Sequence, residues 1–318
     1  MRRLLLALWA GLAGAQGRET ARFTDANRAI KLAAAYPDVD RLFRDYAVAQ
    51  HIPGAAWGII VDGQLVHVGV YGLRDVATKS PVDSNSVFRI ASMTKSFTAV
   101  SILKLRDEGK LSLDDPVEKY VPELATLKYP TTDSPKLTIR HLLSHAEGFP
   151  EDNPWGDQQL SQTDAQLSAM MKSGIPFSNA PGMAYEYSNY GFAILGRVVS
   201  NVSGMPYKDY LAKNVLGPLG MTSTTLEPAT VRRDRLAQGY RWEDETWKVE
   251  PQLPDGAFGS MGGMLTSLHD LGIWVSQFLA AYPPRDGAET GPIKRSSLRE
   301  MQTISRPRPA TVTHDASG

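Results

Sequence analysis

Apolar residues first recur at helical spacing in residues 37–50. Val39, Leu42, Phe43 and Tyr46 fall on one stripe there and predict an amphipathic helix. The period then changes. Ala55 to Val61 and Gln64 to Tyr71 are apolar runs rich in β-branched residues. Asp62-Gly63 between them is a two-residue hairpin signal, so two antiparallel strands are expected. Helical spacing returns over residues 91–108 through Phe97, Val100, Ile102, Leu103 and Leu105, and Gly109 marks the stop. Beyond it the chain reads as helix and loop, interrupted by Pro116, Pro122, Pro130, Pro135, Pro150 and Pro154. Residues 139–144 and 188–203 are expected to be helical, the second ending at Gly204. Ser267 with Asp270 three residues on has the form of a capping box, opening a helix that runs to Pro283-Pro284. No strand is expected after residue 255.

This order predicts an α/β (α+β) fold: an antiparallel sheet flanked by helices, plus an all-helical region. Residues 36–109 hold the hairpin and one long helix, 110–255 the helical region, and 256–318 a C-terminal helix region, after a lead-in at 16–35. A two-stranded hairpin is marginal alone in water, so another element must complete its sheet.

Composition narrows the function. With 318 residues, 42% of them hydrophobic, the chain can bury a substantial core. Lys+Arg and Asp+Glu are both 34, so no basic field exists to neutralise nucleic-acid phosphates. Cysteine is absent, which excludes disulfides, thiolate nucleophiles and zinc–thiolate sites. Arg2 and Arg3, the apolar run Leu4 to Leu12, and Ala13-Gly14-Ala15 form the pattern of a signal peptide over residues 1–15. The mature chain is then expected to begin at Gln16 and to be periplasmic or secreted. The apolar run is too short to span a bilayer, which takes about 20 residues, and no second run is longer.

The candidate chemistry begins at Ser92-Met93-Thr94-Lys95. Positions i and i+3 share one helix face, so the lysine can reach the serine hydroxyl and take its proton. At a helix start the serine also feels the positive end of the dipole, which favours its alkoxide. Ser101-Ile102-Leu103-Lys104 has the same spacing but falls mid-helix, where the backbone amides are already bonded. Tyr187-Ser188-Asn189 adds a tyrosine able to shuttle protons, if a neighbouring ammonium lowers its pKa, and an asparagine able to hold a lysine and a substrate carbonyl. The plain alternative is that Tyr185, Tyr187 and Tyr190 only pack the core. His141 and His145 lie at i, i+4 but lack a third ligand or an intervening Glu, so a structural histidine is the favoured reading of His145. Asp114-Asp115 and Glu151-Asp152 read as helix caps and solvated loops. Phe149 and Trp155 read as a substrate wall or as packing.

Phe88 to Ala99, FRIASMTKSFTA, resembles the nucleophile motif of the serine β-lactamase and penicillin-binding-protein superfamily. That group includes AmpC-like β-lactamases, D-alanyl-D-alanine carboxypeptidases, D-aminopeptidases and related carboxylesterases. Tyr187 to Gly196, YSNYGFAILG, resembles their second motif, in the right order. Leu142 to Pro150 and Gly259 to Leu271 resemble further common stretches, and the similarity runs from about residue 36 to the end. The resemblance implies a serine β-lactamase-like fold and acyl transfer through Ser92. It implies Lys95 as activator, Tyr187 assisting acylation and activating the deacylating water, and Asn189 orienting substrate and Lys95. One oxyanion donor would be the Ser92 N–H. The substrate would be a small ester, D-amino-acid peptide or β-lactam, with no metal or organic cofactor. The family's third motif, Lys or His, then Thr or Ser, then Gly, does not occur after Asn189. Lys172-Ser173-Gly174 and His67-Val68-Gly69 are in the wrong places. The C-terminal strands are therefore expected to be missing, and turnover by these 318 residues to be poor.

Overall fold

The computed structural model describes residues 23–305, so the expected signal peptide and the final residues 306–318 lie outside the described residues. Helices α1 (Arg28–Ala33) and α2 (Tyr36–Ala49) lead into β1 (Gly54–Val61), β2 (Gln64–Asp75), β3 (Ser80–Pro81) and β4 (Val87–Arg89). Helices α3 (Thr94–Asp107), α4 (Ile139–Leu143), α5 (Asp164–Ser173), α6 (Asn189–Ser203), α7 (Tyr207–Leu211) and α8 (Gly217–Leu219) follow. The rest comprises β5 (Gly239–Glu243), β6 (Thr246–Glu250), α9 (Gly259–Gly262), β7 (Leu265–Ser267), α10 (Leu268–Ala280) and α11 (Arg295–Met301). The strands form three small antiparallel sheets, β1-β2-β3, β4-β7 and β5-β6.

The hairpin turn forms as its sequence requires. Asp62 and Gly63 have φ of 51° and 79°, the left-handed pair of a tight two-residue turn. Trp57 pairs with Gly69 across the strands, and a Cβ on Gly69 would lie 2.1 Å from the indole ring. That face carries α2. Asp40 accepts a 2.8 Å bond from Trp57 Nε1 and lies 2.8 Å from His67 Nε2, while Phe43 stacks on Trp57. The helix is where the periodicity places it, yet Leu42 and Tyr46 stay exposed. A polar and an aromatic anchor hold it, not its whole apolar stripe. The opposite face meets α10, where Ser276 Oγ donates to the Gly63 carbonyl at 2.9 Å. Among the described residues β1 is paired along one edge only.

The core centres on α3. Phe97, Val100, Ile102 and Leu105 have no exposed surface, and Phe97 stacks on Trp274 of α10 with ring centroids 3.8 Å apart. Helix α6 ends at Gly204 in the left-handed conformation (φ 70°), as its sequence signals. Helix α10 opens on Ser267, whose hydroxyl accepts from Asp270 N, but only half the expected capping box forms. The Asp270 carboxylate turns to Ser223 N and Thr224 Oγ1, both at 2.8 Å.

Two sequence expectations need correction. β7 is a strand after residue 255; it is only three residues long and exists because β4 pairs with it. The region 110–255 is not all helical, since β5 and β6 form a hairpin around Asp244 and Glu245.

Candidate active site

Strand β4 carries the chain toward Ser92 and is clamped from both sides. On one side Arg89 pairs with Leu265 of β7 and Ile90 N donates to the Met264 carbonyl at 2.9 Å; on the other Val87 N donates to the Arg235 carbonyl at 2.8 Å. Ala91 then adopts φ 46°, a left-handed conformation that is uncommon for alanine and costs about 1–3 kcal/mol. The surroundings hold it there. Thr94 Oγ1 donates to the Ala91 carbonyl at 2.6 Å and accepts from Met264 N at 3.1 Å. The resulting tight turn, Ala91–Met93, leaves Ser92 exposed just ahead of α3, while Lys95 points inward and is buried.

Lys95 Nζ has three oxygen neighbours. Asn189 Oδ1 and the Met261 carbonyl each lie at 2.7 Å, and Ser92 Oγ at 3.2 Å. An ammonium has three protons and no lone pair, so it fills all three. A neutral amine has two protons and one lone pair. The two carbonyl-type oxygens can only accept, so they claim both protons and the lone pair is left for the serine hydroxyl. Burial pushes the Lys95 pKa down to about 7, against the opposing pull of the Asp152 and Asp157 carboxylates. The neutral form is thus accessible at ordinary pH.

Tyr187 Oη donates to Ser92 Oγ at 2.7 Å, and its ring lies 4.8 Å from Lys95 Nζ. The condition set on Tyr187, a pKa lowered by the ammonium, is not met. Burial pushes Tyr187 up, outweighing the Ser92 bond. It therefore stands as a protonated phenol, a donor to the serine oxygen. The structure brings Ser92, Lys95, Tyr187 and Asn189 into contact with one another.

The other candidates have structural partners. Ser101 Oγ donates to the Phe97 carbonyl and Lys104 Nζ to the Pro292 carbonyl, so the second Ser-x-x-Lys is taken up in packing. His145 Nδ1 accepts from Ser188 N at 3.1 Å. Burial, with Lys95 nearby, lowers the His145 pKa to about 4, so it is neutral. His141 Nδ1 caps α4 by accepting from Thr138 N. Phe149 is buried in the core, whereas Trp155 is exposed. His67 binds Asp40, and Ser173 Oγ donates to the Met170 carbonyl at the end of α5.

Sequence reasoning missed two contributors. Met261 acts through its main-chain carbonyl, which leaves no side-chain signature. Its glycine-rich neighbourhood is the trace: Gly196 of α6 lies against Ser260 so closely that a Cβ would come within 2.3 Å of Oγ. Asp152 reads as a generic cap, but its two oxygens accept from Asn189 N at 2.6 Å and Tyr190 N at 2.7 Å, at the start of the helix that carries Asn189.

The chain is 32% identical over 227 residues to the protein named flp of Staphylococcus aureus strain COL, covering 71% of this chain and 45% of the relative. It is 31% identical over 253 residues to β-lactamase-like protein 2 of Dictyostelium discoideum, covering 76% and 45%. The chain thus spans about half the length of the curated relatives it matches. Among solved structures it resembles the octameric penicillin-binding protein homologue from Pyrococcus abyssi, with a TM-score of 0.72 and 28% identity over 84% of this chain and 60% of the other. It also resembles a mutant class C β-lactamase, with a TM-score of 0.66 and 26% identity over 78% and 65%. The β-lactamase family model matches residues 39–316, and on that match the chain belongs to the β-lactamase family.

Proposed function

We propose that this protein is an exported serine hydrolase that transfers acyl groups through an ester on Ser92. The observation that carries the reading is the pair of carbonyl-type acceptors on Lys95 Nζ, which claim both protons of a neutral amine and direct its lone pair at the Ser92 hydroxyl. In acylation the Ser92 proton passes to Lys95 Nζ, and Oγ attacks the substrate carbonyl carbon. The developing oxyanion is met by the Ser92 N–H at the positive end of the first turn. The carbonyl reforms as the leaving group departs with a proton from Tyr187, which regains one from the Lys95 ammonium. Water then attacks the ester, with the same two groups taking and returning its proton. The substrate is a small carboxylic ester or D-amino-acid peptide in the first instance, with a β-lactam next, because the scaffold alone does not choose among them.

A second reading is acylation without turnover. It is favoured by the open edge of β1 among the described residues. The test is labelling with a fluorophosphonate and with a fluorescent penicillin, followed by release of the label. Label should appear on the wild type and on Ser101→Ala but not on Ser92→Ala. Rapid release supports turnover, and stable label supports the second reading. Labelling that survives Ser92→Ala overturns both. Export is tested by sequencing the N-terminus of periplasmic material, expected at Gln16 or within a few residues of it.

A further inference from the structure

Asp152 lies in the loop between α4 and α5, 37 residues before Asn189. The first amides of a helix have no partner within it and must find one elsewhere. In α6 the first two, Asn189 N and Tyr190 N, go to the two oxygens of Asp152, and Gly191 N goes to Ser188 Oγ. The loop closes on itself behind the carboxylate, with Trp155 N donating to the Asp152 carbonyl at 3.0 Å. Gly156, in the same loop, backs the Asn189 carboxamide so closely that a Cβ would come within 2.6 Å of Nδ2. Glu151 N is tied to Glu186 Oε1, one residue before Tyr187.

We propose that Asp152 is the positioning residue of this site: its carboxylate clamps the start of α6, and so fixes Asn189 against Lys95 and Tyr187 against Ser92. The proposal rests on the acyl-transfer reading above. It gives Asp152 a second effect, through charge. The groups facing Lys95 are Ser92, Asn189 and the Met261 carbonyl as bonding partners, the rings of Tyr187 and Phe192, neutral His145, and the carboxylates of Asp152 and Asp157. Asp157 is already paired with Arg89 at 2.6 Å, whereas the bonding partners of Asp152 are main-chain amides. Asp152 is thus the principal charge that favours the Lys95 ammonium, and a carboxylate at a helix N-terminus is itself stabilised by the dipole.

The two effects separate experimentally. Protein carrying 13C at lysine Cε, with the Lys95 resonance assigned by its loss in Lys95→Arg, gives the Lys95 titration midpoint without any turnover. The rate of Ser92 labelling by a fluorophosphonate against pH gives both a midpoint and a plateau. In Asp152→Asn one amide of α6 faces an NH2 group and the charge is gone. The Lys95 midpoint should fall by about one unit and the labelling plateau by about tenfold or more. Asp152→Glu restores the charge but moves the fork by a methylene, so its midpoint should return while the plateau stays low. Asp157→Asn should lower the midpoint and leave the plateau unchanged. An Asp152→Asn variant that only unfolds at lower temperature, with midpoint and plateau as in the wild type, overturns the proposal. A wild type that takes no label, while the Asp152→Asn midpoint shifts as stated, overturns the acyl-transfer reading instead.

Discussion

In the proposed acyl transfer Lys95 is the base, and its state sets a pH dependence with a definite sign. The folded pKa of about 7 lies below the ordinary lysine value, so the base is absent below pH 7 and present above it. Ser92 labelling should rise through pH 7 and level off. Lys95→Arg keeps the charge but cannot shed its proton, so labelling should be lost at every pH. Near-wild-type labelling of that variant would remove Lys95 from the base role. A second buried group gives a stability prediction. Glu147 has no exposed surface, and burial outweighs the hydrogen bonds its carboxyl group draws from Ser188 and the backbone. Burial pushes its pKa well above the usual 4.5. The native state therefore keeps a proton that the unfolded chain releases, and stability falls as pH rises above 4.5, by up to about 1.4 kcal/mol per unit from this group. Glu147→Gln keeps the shape and removes the titration. Its advantage in urea unfolding should be small at pH 4.5 and grow toward pH 8; parallel pH curves for the two proteins would show that Glu147 ionises freely in the fold. At this scale the sequence was most legible where function lives in side-chain type. Ser92, Lys95, Tyr187 and Asn189 could be named from their spacing together with the family resemblance of their motifs, whereas Asp152 and Met261 could not, because their partners or their own acting atoms belong to the main chain.

Helices α6 and α9 meet at a point where a single methyl group decides the packing. Alanine normally stabilises a helix over glycine by about 1 kcal/mol. At Gly196 the added Cβ would stand 2.3 Å from Ser260 Oγ and 2.7 Å from its Cβ, and overpacking of this kind costs about 1–3 kcal/mol. Gly196→Ala should therefore lower stability despite its better helix propensity. It should also slow Ser92 labelling, since α9 carries the Met261 carbonyl next to Ser260. Adding Ser260→Gly removes the obstructing atoms, so the double variant should be more stable than the sum of the two single changes allows. Strict additivity in denaturant unfolding would show that the two helices move apart freely. Long elements were legible because periodicity accumulates over many residues, as in α3 and α6. Short ones were not. β7 has too few residues to show a period and forms through its pairing with β4. The β5–β6 hairpin turns on Asp244-Glu245, at φ 51° and 57°, with no glycine to announce a left-handed turn. The alternation through Tyr240, Trp242, Trp247 and Val249 was its only sequence trace.

The site draws on stretches of chain far apart: Ser92 and Lys95 from the start of α3, Tyr187 and Asn189 from the start of α6, and Met261 from α9, 166 residues after Lys95. These parts meet because α3 is packed on all sides, so the catalytic geometry is a property of the whole core and not of any local motif. The tryptophans separate core from periphery. Trp274 is buried, stacked on Phe97, and donates from Nε1 to Ser96 Oγ at 3.1 Å, four residues from the nucleophile. Trp242 and Trp247 sit on the β5–β6 hairpin, about a third exposed. That hairpin is fastened by few groups: His51 stacks on Trp242, Trp247 Nε1 donates to the His51 carbonyl, and Tyr240 Oη accepts from Val76 N. Elements with so little burial open at lower free energy than a packed core. In a variant keeping only Trp274, the fluorescence transition in urea and the loss of Ser92 labelling should share one midpoint. In a variant keeping only Trp242 and Trp247, fluorescence should change at lower urea while labelling persists. Coincidence of the first pair is what a single cooperative core requires. Labelling lost well before the Trp274 signal would mean that the first turn of α3, with the left-handed Ala91 at its head, opens on its own. The strain there would then be held by the Thr94 and Met264 bonds alone, and not by the core as a whole.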